Sequence, residues 1–191
     1  MNIDLKKTLH TLLFGVGIFI TSLPTFAAEN PNPDGSAVIL LYHRFGQPDT
    51  PSTNIRLDQF DAQLTYLKQH HFHVWSLSRL VDALKTRQPI PENTVVLTVD
   101  DAWKSVYTQA YPRLKALGWP LTVFVNTDPV DAHYQSNMTW DQMREMQQHG
   151  VEFANHSKSH DSLVQGKHES FNAWKNRVQQ EIETAQRRLQ Q

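Results

Sequence analysis

Hydrophobic residues along the chain occur in two patterns, short continuous runs and longer stretches in which they recur every three or four residues. Continuous runs of this length are typical of strands buried in a parallel sheet. Four of them are present, at residues 37–42, 94–98, 121–125 and 151–154. The stretches that follow the runs have the spacing of amphipathic helices. This alternation predicts an α/β fold with a parallel sheet and covering helices.

Small and polar residues mark the expected helix ends. Ser76 or Ser78 can cap the second predicted helix, and Thr139 with Gln142 forms a capping box for a later one. Gly118 is predicted to end the helix before the third strand. Two prolines are predicted to end the helix that follows Ser76, namely Pro89 and Pro91.

The number of strands leaves two architectures open. Four strands are too few to close a barrel, and the last residues lie in a predicted helix that covers 171–191. The chain therefore reads as the N-terminal portion of a larger (β/α) barrel. The alternative is a small open α/β sandwich that is complete as it stands.

The N-terminal segment differs in composition from the rest. Two lysines precede an apolar stretch at about 12–23, and small residues follow it. We expect residues 1–27 to be a signal peptide and the protein to be exported, to the periplasm or beyond the cell. An uncleaved membrane anchor is the alternative. Residues 28–36 have linker composition, and 37–191 is the predicted domain.

Charge and composition exclude several classes of protein. The formal net charge is −1 and there is no basic block, which argues against nucleic acid as a partner. There is no cysteine, so the chain has neither disulfides nor thiolate metal sites. Ten histidines are present, and three of them, clustered in a polar stretch, are expected to face solvent: His70, His71 and His73.

Two polar segments follow the second and fourth strands and carry the candidate chemistry. Asp100 and Asp101 follow one strand, and His156 and His160 follow the other. Carboxyl ends of parallel strands lie at one edge of a sheet, so the segments are expected to meet. Histidines four residues apart would share one side of a helical turn. Two imidazoles and one carboxylate can hold Zn²⁺ at roughly 2.0–2.2 Å, with the other aspartate left as a base. The alternative to a metal site is that the two aspartates lie in a solvated turn and the two histidines lie on the surface of a helix.

Several motifs resemble those of the polysaccharide deacetylases, the carbohydrate esterase family with a NodB homology domain. Thr98-Val99-Asp100-Asp101 resembles their Thr-Phe-Asp-Asp motif, and residues 155–160 resemble their His-(Ser/Thr)-x-x-His motif with its preceding Asn. Residues 121–125 are similar to the Ala-Thr-Phe-Phe-Val strand between them. Tyr42-His43 resembles the end of the first strand in the branch of poly-N-acetylglucosamine deacetylases. The resemblance covers about residues 37–165 in the family's order.

The resemblance implies a role for each matched residue. Asp100 would be the catalytic base, and Asp101, His156 and His160 would bind a divalent metal, for which Zn²⁺ is the expected ion. The implied reaction removes N-acetyl groups, or less often O-acetyl groups, from a polysaccharide or amino-sugar oligomer. The implied fold is an irregular (β/α)7 barrel, of which this chain would be the N-terminal portion.

The sequence departs from the family pattern in three places. Ala102 stands where the family usually has Gly, and Val99 replaces Phe. No Arg-x-Pro or Leu-x-His segment follows His160, and in the family these supply the oxyanion contact and the general acid. A second hypothesis is therefore a catalytically incomplete carbohydrate-binding or metal-binding fragment. A third is a piece of a barrel that does not fold alone.

Other residues near the two segments are secondary candidates. His43 ends the first strand and can contact substrate, or it can be satisfied by a loop. Trp103 can stack on a sugar ring, or it can begin a helix against the core. Asn155 is a candidate for a hydrogen bond close to the metal ligands. Asp128 and Asp131 are expected to be solvated in a loop after the third strand.

Overall fold

The computed structural model describes residues 35–191. The predicted signal peptide, its alternative as a membrane anchor and most of the linker lie outside the described residues. Seven strands occur in chain order: β1 Ala37–Tyr42, β2 Arg44–Phe45, β3 Asn54–Ile55, β4 His73–Trp75, β5 Thr94–Asp100, β6 Leu121–Val125 and β7 Val151–Asn155.

Six α-helices accompany the strands. They are α1 Leu57–Gln69, α2 Leu77–Thr86, α3 Tyr111–Leu117, α4 Thr127–Asp131, α5 Trp140–Gln147 and α6 Phe171–Leu189. A 3₁₀ turn covers Pro51–Thr53, and a π-helical segment, Val106–Ala110, leads directly into α3. None of the helices in residues 35–191 has the length and apolar character needed to cross a bilayer.

Five of the strands form one parallel sheet with β5 at its centre. β1 pairs along the whole of one edge of β5. β4 and β6 share the other edge, with β4 beside its start and β6 beside its end, and β7 lies outside β6. The predicted α/β class and parallel sheet are confirmed. β4 escaped the sequence prediction because it has only three residues and begins in the polar stretch of histidines, all three of which are exposed.

The core lies on both faces of β5. Alternate side chains of a strand point to opposite faces, so Val95, Leu97 and Val99 pack into the main cluster with residues of α1, α3 and α5. Val96 faces the other way into a smaller cluster that contains Trp75 and α2 residues. Thr94 through Val99 are all at most 2% exposed, as the continuous apolar run predicted.

The prediction that the first strand is buried on both faces was wrong. Val38, Ile39 and Leu41 of β1 are 50–56% exposed. Within the described part, β1 is hydrogen-bonded to β5 alone, and Leu40 and Tyr42 are the side chains that pack against the main cluster. A continuous apolar run therefore did not distinguish a central strand from an edge strand.

Most predicted helix ends are observed, with one correction. Ser76 accepts a hydrogen bond from the Arg79 backbone and caps α2, and Thr139 and Gln142 form the capping box of α5. Gly118 ends α3 with φ of 66°. The prolines do not end α2, however, because Arg87 adopts a left-handed conformation (φ 52°) and stops the helix before them.

Candidate active site

The first half of the site is built where β5 ends. Asp100 is the last residue of the strand, and the next two residues turn the chain sharply with positive φ angles, 72° at Asp101 and 49° at Ala102. The amide of Asp101 donates to the carbonyl of Phe124 on β6 (3.0 Å), and the buried Asn137 donates to the carbonyl of Asp101 (3.0 Å). These contacts fix the main chain that carries the two adjacent carboxylates.

The second half follows β7. The amide of His156 donates to the carbonyl of Val125 on β6 (3.0 Å). Beyond it the chain does not form a helical turn, the arrangement in which the four-residue spacing would put both rings on one side. Instead Ser157 and His160 both have left-handed backbones, with φ of 65° and 67°. This irregular turn, residues 156–160, nevertheless brings the two rings to the same side, with their Nε2 atoms 3.1 Å apart.

The structure brings the three predicted metal ligands together. Asp101 Oδ1 lies 3.5 Å from His156 Nε2 and 3.4 Å from His160 Nε2. A tetrahedral ion with bonds of about 2.0–2.2 Å separates its ligand atoms by about 3.3–3.6 Å. The spacing of the three donor atoms is close to that separation. They are the group within residues 35–191 whose ligand atoms fit a metal ion.

The hydrogen bonding of Asp101 supports the same interpretation. Its Oδ2 accepts from the indole N–H of Trp103 (3.1 Å), whereas its Oδ1 is buried and has no hydrogen-bond partner. A buried carboxylate oxygen without a partner is costly, and native proteins rarely leave one. The free oxygen faces both imidazoles, so a cation among the three would satisfy it. The residues present therefore fit a divalent metal.

Asp100 lies beside this group. Its Oδ2 is 3.9 Å from His156 Nε2 and 3.9 Å from His43 Nε2, and its side chain is 16% exposed. Burial raises the pKa of Asp100 above its ordinary value, and the neighbouring Asp101 adds to the rise, while the surrounding histidines oppose it. Asp100 is thus next to the three residues that fit a metal without belonging to that group, as expected for a base.

The three secondary candidates, His43, Trp103 and Asn155, make different contacts. His43 lies at the site, facing Asp100, with a half-buried side chain. Trp103 packs against the core, carries the guanidinium of Arg44 over its ring at 3.6 Å and donates to Asp101. The Asn155 side chain makes no hydrogen bond to either imidazole. Its amide donates to the Ile182 carbonyl of α6 (2.8 Å), and its oxygen accepts from the backbone of the turn.

The two aspartates expected to be solvated have side chains 42% (Asp128) and 41% (Asp131) exposed, yet both are paired. Asp128 accepts from Lys158 Nζ at 2.7 Å. Asp131 accepts from the indole of Trp140 at 2.7 Å and from Arg188 at 2.8 Å. Both aspartates belong to α4, a five-residue helix that was predicted as a loop. Each of them connects that helix to a neighbouring segment.

One residue that supports the site was missed altogether. Glu181 of α6 is half-buried, and its Oε2 accepts from the backbone amides of Lys158 and Ser159 and from the Ser159 hydroxyl. A single glutamate in an amphipathic helix carries no signal of such a role. Only the packing of α6 against the turn of residues 156–160 reveals it.

Comparison with known families decides which family this arrangement belongs to. The family model described as polysaccharide deacetylase matches residues 87–191, more than half of the chain. The chain belongs to the polysaccharide deacetylase family. The matched region of this family member contains both aspartates and both histidines of the candidate site.

Curated relatives of this family member include deacetylases of one polymer. The chain is 28% identical over 148 residues to the poly-β-1,6-N-acetyl-D-glucosamine N-deacetylase of Escherichia coli K12, covering 68% of this chain and 22% of the relative. It is 25% identical over 154 residues to the enzyme of the same name from Staphylococcus epidermidis, covering 71% and 53%. The chain thus spans between about a fifth and about half of these relatives.

Solved structures of deacetylases share the fold of this family member. The Streptococcus pyogenes deacetylase PplD, in complex with acetate, superimposes with a TM-score of 0.70 and 27% identity over 80% of this chain and 67% of that one. IcaB from Ammonifex degensii gives a TM-score of 0.60 and 30% identity over 69% and 56%. The predicted fold, a portion of a deacetylase barrel, is therefore confirmed.

Proposed function

We propose that this chain is the site-bearing part of an exported, metal-dependent deacetylase that removes N-acetyl groups from an amino-sugar polysaccharide. The observation that carries the proposal is the meeting of Asp101, His156 and His160, with Asp100 at their side. The names of the relatives above support poly-N-acetylglucosamine as the substrate class. O-Deacetylation is the second possibility for the same site.

Each residue of the site has its own proposed role. Asp101, His156 and His160 would hold the metal, which when bound acidifies water and polarises a carbonyl oxygen. Asp100 is placed to accept a proton from the attacking water, since it is 3.9 Å from a ligand imidazole and poorly solvated. His43 Nε2 lies 3.9 Å from the same oxygen of Asp100 and is the proposed substrate contact.

Replacement of the proposed base is the direct test. We expect Asp100→Asn to lower acetate release from N-acetylglucosamine oligomers by about 100- to 10,000-fold, the range typical of a lost general base. Its zinc content should stay equal to that of the wild type, because Asp100 is not among the three ligands. Asp82→Asn, an exposed change on α2, is the matched control and should leave activity unchanged. Full activity in Asp100→Asn would refute the assignment of the base.

One observation favours the second candidate, a protein that binds without turnover. In residues 35–191 the titratable groups that act on Asp100 are three histidines and Asp101, with no arginine among them. Titration calorimetry with the same oligomers separates the two candidates. Heat of binding without acetate release from the metal-loaded wild type would support the binding protein, whereas release that depends on Asp100 would support the enzyme.

A further inference from the structure

The turn that carries the two histidines depends on a contact from α6. Glu181 Oε2 accepts the amide of Lys158 at 3.1 Å, the amide of Ser159 at 2.7 Å and the hydroxyl of Ser159 at 3.0 Å. All three donors lie between His156 and His160. One carboxylate oxygen therefore takes up the N–H and O–H groups at the centre of the turn.

The turn needs such support because its backbone is unfavourable by itself. Ser157 and His160 both have left-handed φ angles without being glycines. Residues in that region persist where the surrounding structure holds them there. A carboxylate that accepts several backbone amides makes charge-assisted hydrogen bonds, which are stronger than those of a neutral acceptor.

Other contacts attach the turn to the fold without accepting its two central amides. Lys158 directs its ammonium group away to Asp128 of α4, and its carbonyl accepts the amide of the same aspartate at 2.9 Å. Asn155 joins the start of the turn to a carbonyl of α6. These contacts keep the segment attached to the fold, while Glu181 sets the path of the chain between the two ligands.

We propose that Glu181 is a positioning residue for the metal, one that pre-forms the turn so that His156 Nε2 and His160 Nε2 face Asp101 before the metal arrives. This inference rests on the proposed function, because it takes the three residues as metal ligands. Glu181 does not touch the ligand atoms itself, and it acts through the backbone of residues 158 and 159.

The test compares Glu181→Ala and Glu181→Gln with changes at Glu183, two residues further along α6. Glu183 is exposed and pairs with Arg187 and Gln179 on its own helix, so Glu183→Ala and Glu183→Gln are matched controls. The metal-free full chain of each variant is titrated with Co²⁺ and with Zn²⁺. The visible spectrum of the Co²⁺ form reports the coordination geometry, and the melting of the metal-free form reports folding.

The expected result is a graded loss of affinity. Glu181→Ala should bind Co²⁺ and Zn²⁺ about 10- to 100-fold more weakly, the range typical of residues that orient metal ligands. It should also show an altered Co²⁺ spectrum. Glu181→Gln, which keeps an oxygen acceptor without the charge, should lose less, and both Glu183 variants should bind like the wild type.

The other outcomes separate the inference from the proposed function. A wild-type chain that binds neither ion contradicts the metal site itself. A wild-type chain that binds, together with Glu181→Ala of equal affinity and unchanged Co²⁺ spectrum, overturns the role of Glu181 alone. If Glu181→Ala does not fold, the comparison moves to glutamine, and equal affinities for Glu181→Gln and Glu183→Gln overturn it.

Discussion

At the scale of single residues, Asp101 shows how one carboxylate serves two purposes. Its Oδ2 is engaged by the Trp103 indole, and its Oδ1 is left for the two imidazoles. A fixed second oxygen keeps a carboxylate monodentate and lowers the cost of ordering it when a metal binds. Arg44, stacked on the indole at 3.6 Å, holds the tryptophan in turn.

Trp103→Phe tests this arrangement. The phenyl ring keeps the packing and the stack with Arg44 but lacks the N–H, so zinc affinity should fall about 10- to 100-fold. The measurement is competition with a chromophoric chelator. Trp140→Phe removes an indole N–H that goes to Asp131 instead and serves as the control. Equal affinity in Trp103→Phe would mean that the hydrogen bond does not orient Asp101.

The sequence predicted the site at this scale better than the support around it. The two aspartates and two histidines could be found because polar side chains directly after apolar strands stand out, and because their motifs resemble a known family. The role of Trp103 could not, because its indole reaches Asp101 only through positive φ angles at Asp101 and Ala102. Neither residue is a glycine, so the two residues themselves carry no signal of that turn.

At the scale of elements, the four longest strands and most helix caps followed from pattern, whereas the connecting turns did not. The capping box at Thr139 needs only local spacing and was found as predicted. One helical turn would have put the two histidines on one side, yet residues 156–160 form an irregular turn. Its central amides donate to Glu181, which lies more than twenty residues away in the sequence. Local propensity cannot report a contact with an element that packs later.

The segment that leads into α6 gives a prediction about pH. Arg177 binds Glu169 through two hydrogen bonds of 2.9 Å, and this pairing lowers the pKa of Glu169 from 4.5 to about 2. Because the folded pKa lies below the unfolded value, the stabilisation is complete above about pH 4.5 and is lost as the pH falls through about 2.

Denaturant unfolding of the wild type and Glu169→Gln at several pH values measures this effect. The wild type should be the more stable at pH 7, and the difference should shrink from pH 4.5 downward and vanish near pH 2. Since all other carboxylates titrate equally in both proteins, the difference isolates Glu169. A difference that stays constant down to pH 2 would contradict the ion pair.

At the scale of the whole molecule, burial is unevenly distributed over the sheet. β5 is covered on both faces, whereas β1 leaves three large apolar side chains half exposed. The sequence patterns of the two strands are almost the same, and their difference arises from position in the sheet. That position depends on which strands pair, a property of the whole fold that a run of apolar residues does not encode.

Two substitutions in the sheet should differ strongly in their effect on the free energy of unfolding. Leu97→Ala, at a side chain 1% exposed in the main cluster, should lower the free energy of unfolding by about 2–5 kcal/mol. Leu41→Thr, at a side chain 56% exposed, should change it by less than about 0.5 kcal/mol. Urea denaturation of both variants measures the contrast. Similar losses at the two positions would mean that β1 is covered in solution.

Metal binding should also appear as stability of the whole molecule. Zinc at about 1,000 times its dissociation constant should add about 4 kcal/mol to the free energy of unfolding, because only the folded chain assembles the three ligands. A chelator should reverse the gain, and Asp101→Ala should show none. The measurement is thermal melting with and without zinc. An equal gain in Asp101→Ala would place the ion elsewhere.

Both halves of the site are attached to β6, so site residues can be substituted without altering the sheet. The amides of Asp101 and His156 donate to neighbouring carbonyls at the end of that strand, from Phe124 and Val125. The distance between the segments after β5 and β7 is therefore set by main-chain hydrogen bonds to a single strand. Each segment lies at roughly the 4.8 Å inter-strand spacing from it. Side chains in these two segments can be exchanged while the main-chain hydrogen bonds to β6 persist. Ion preference can thus be altered, by evolution or by design, without rebuilding the sheet beneath it.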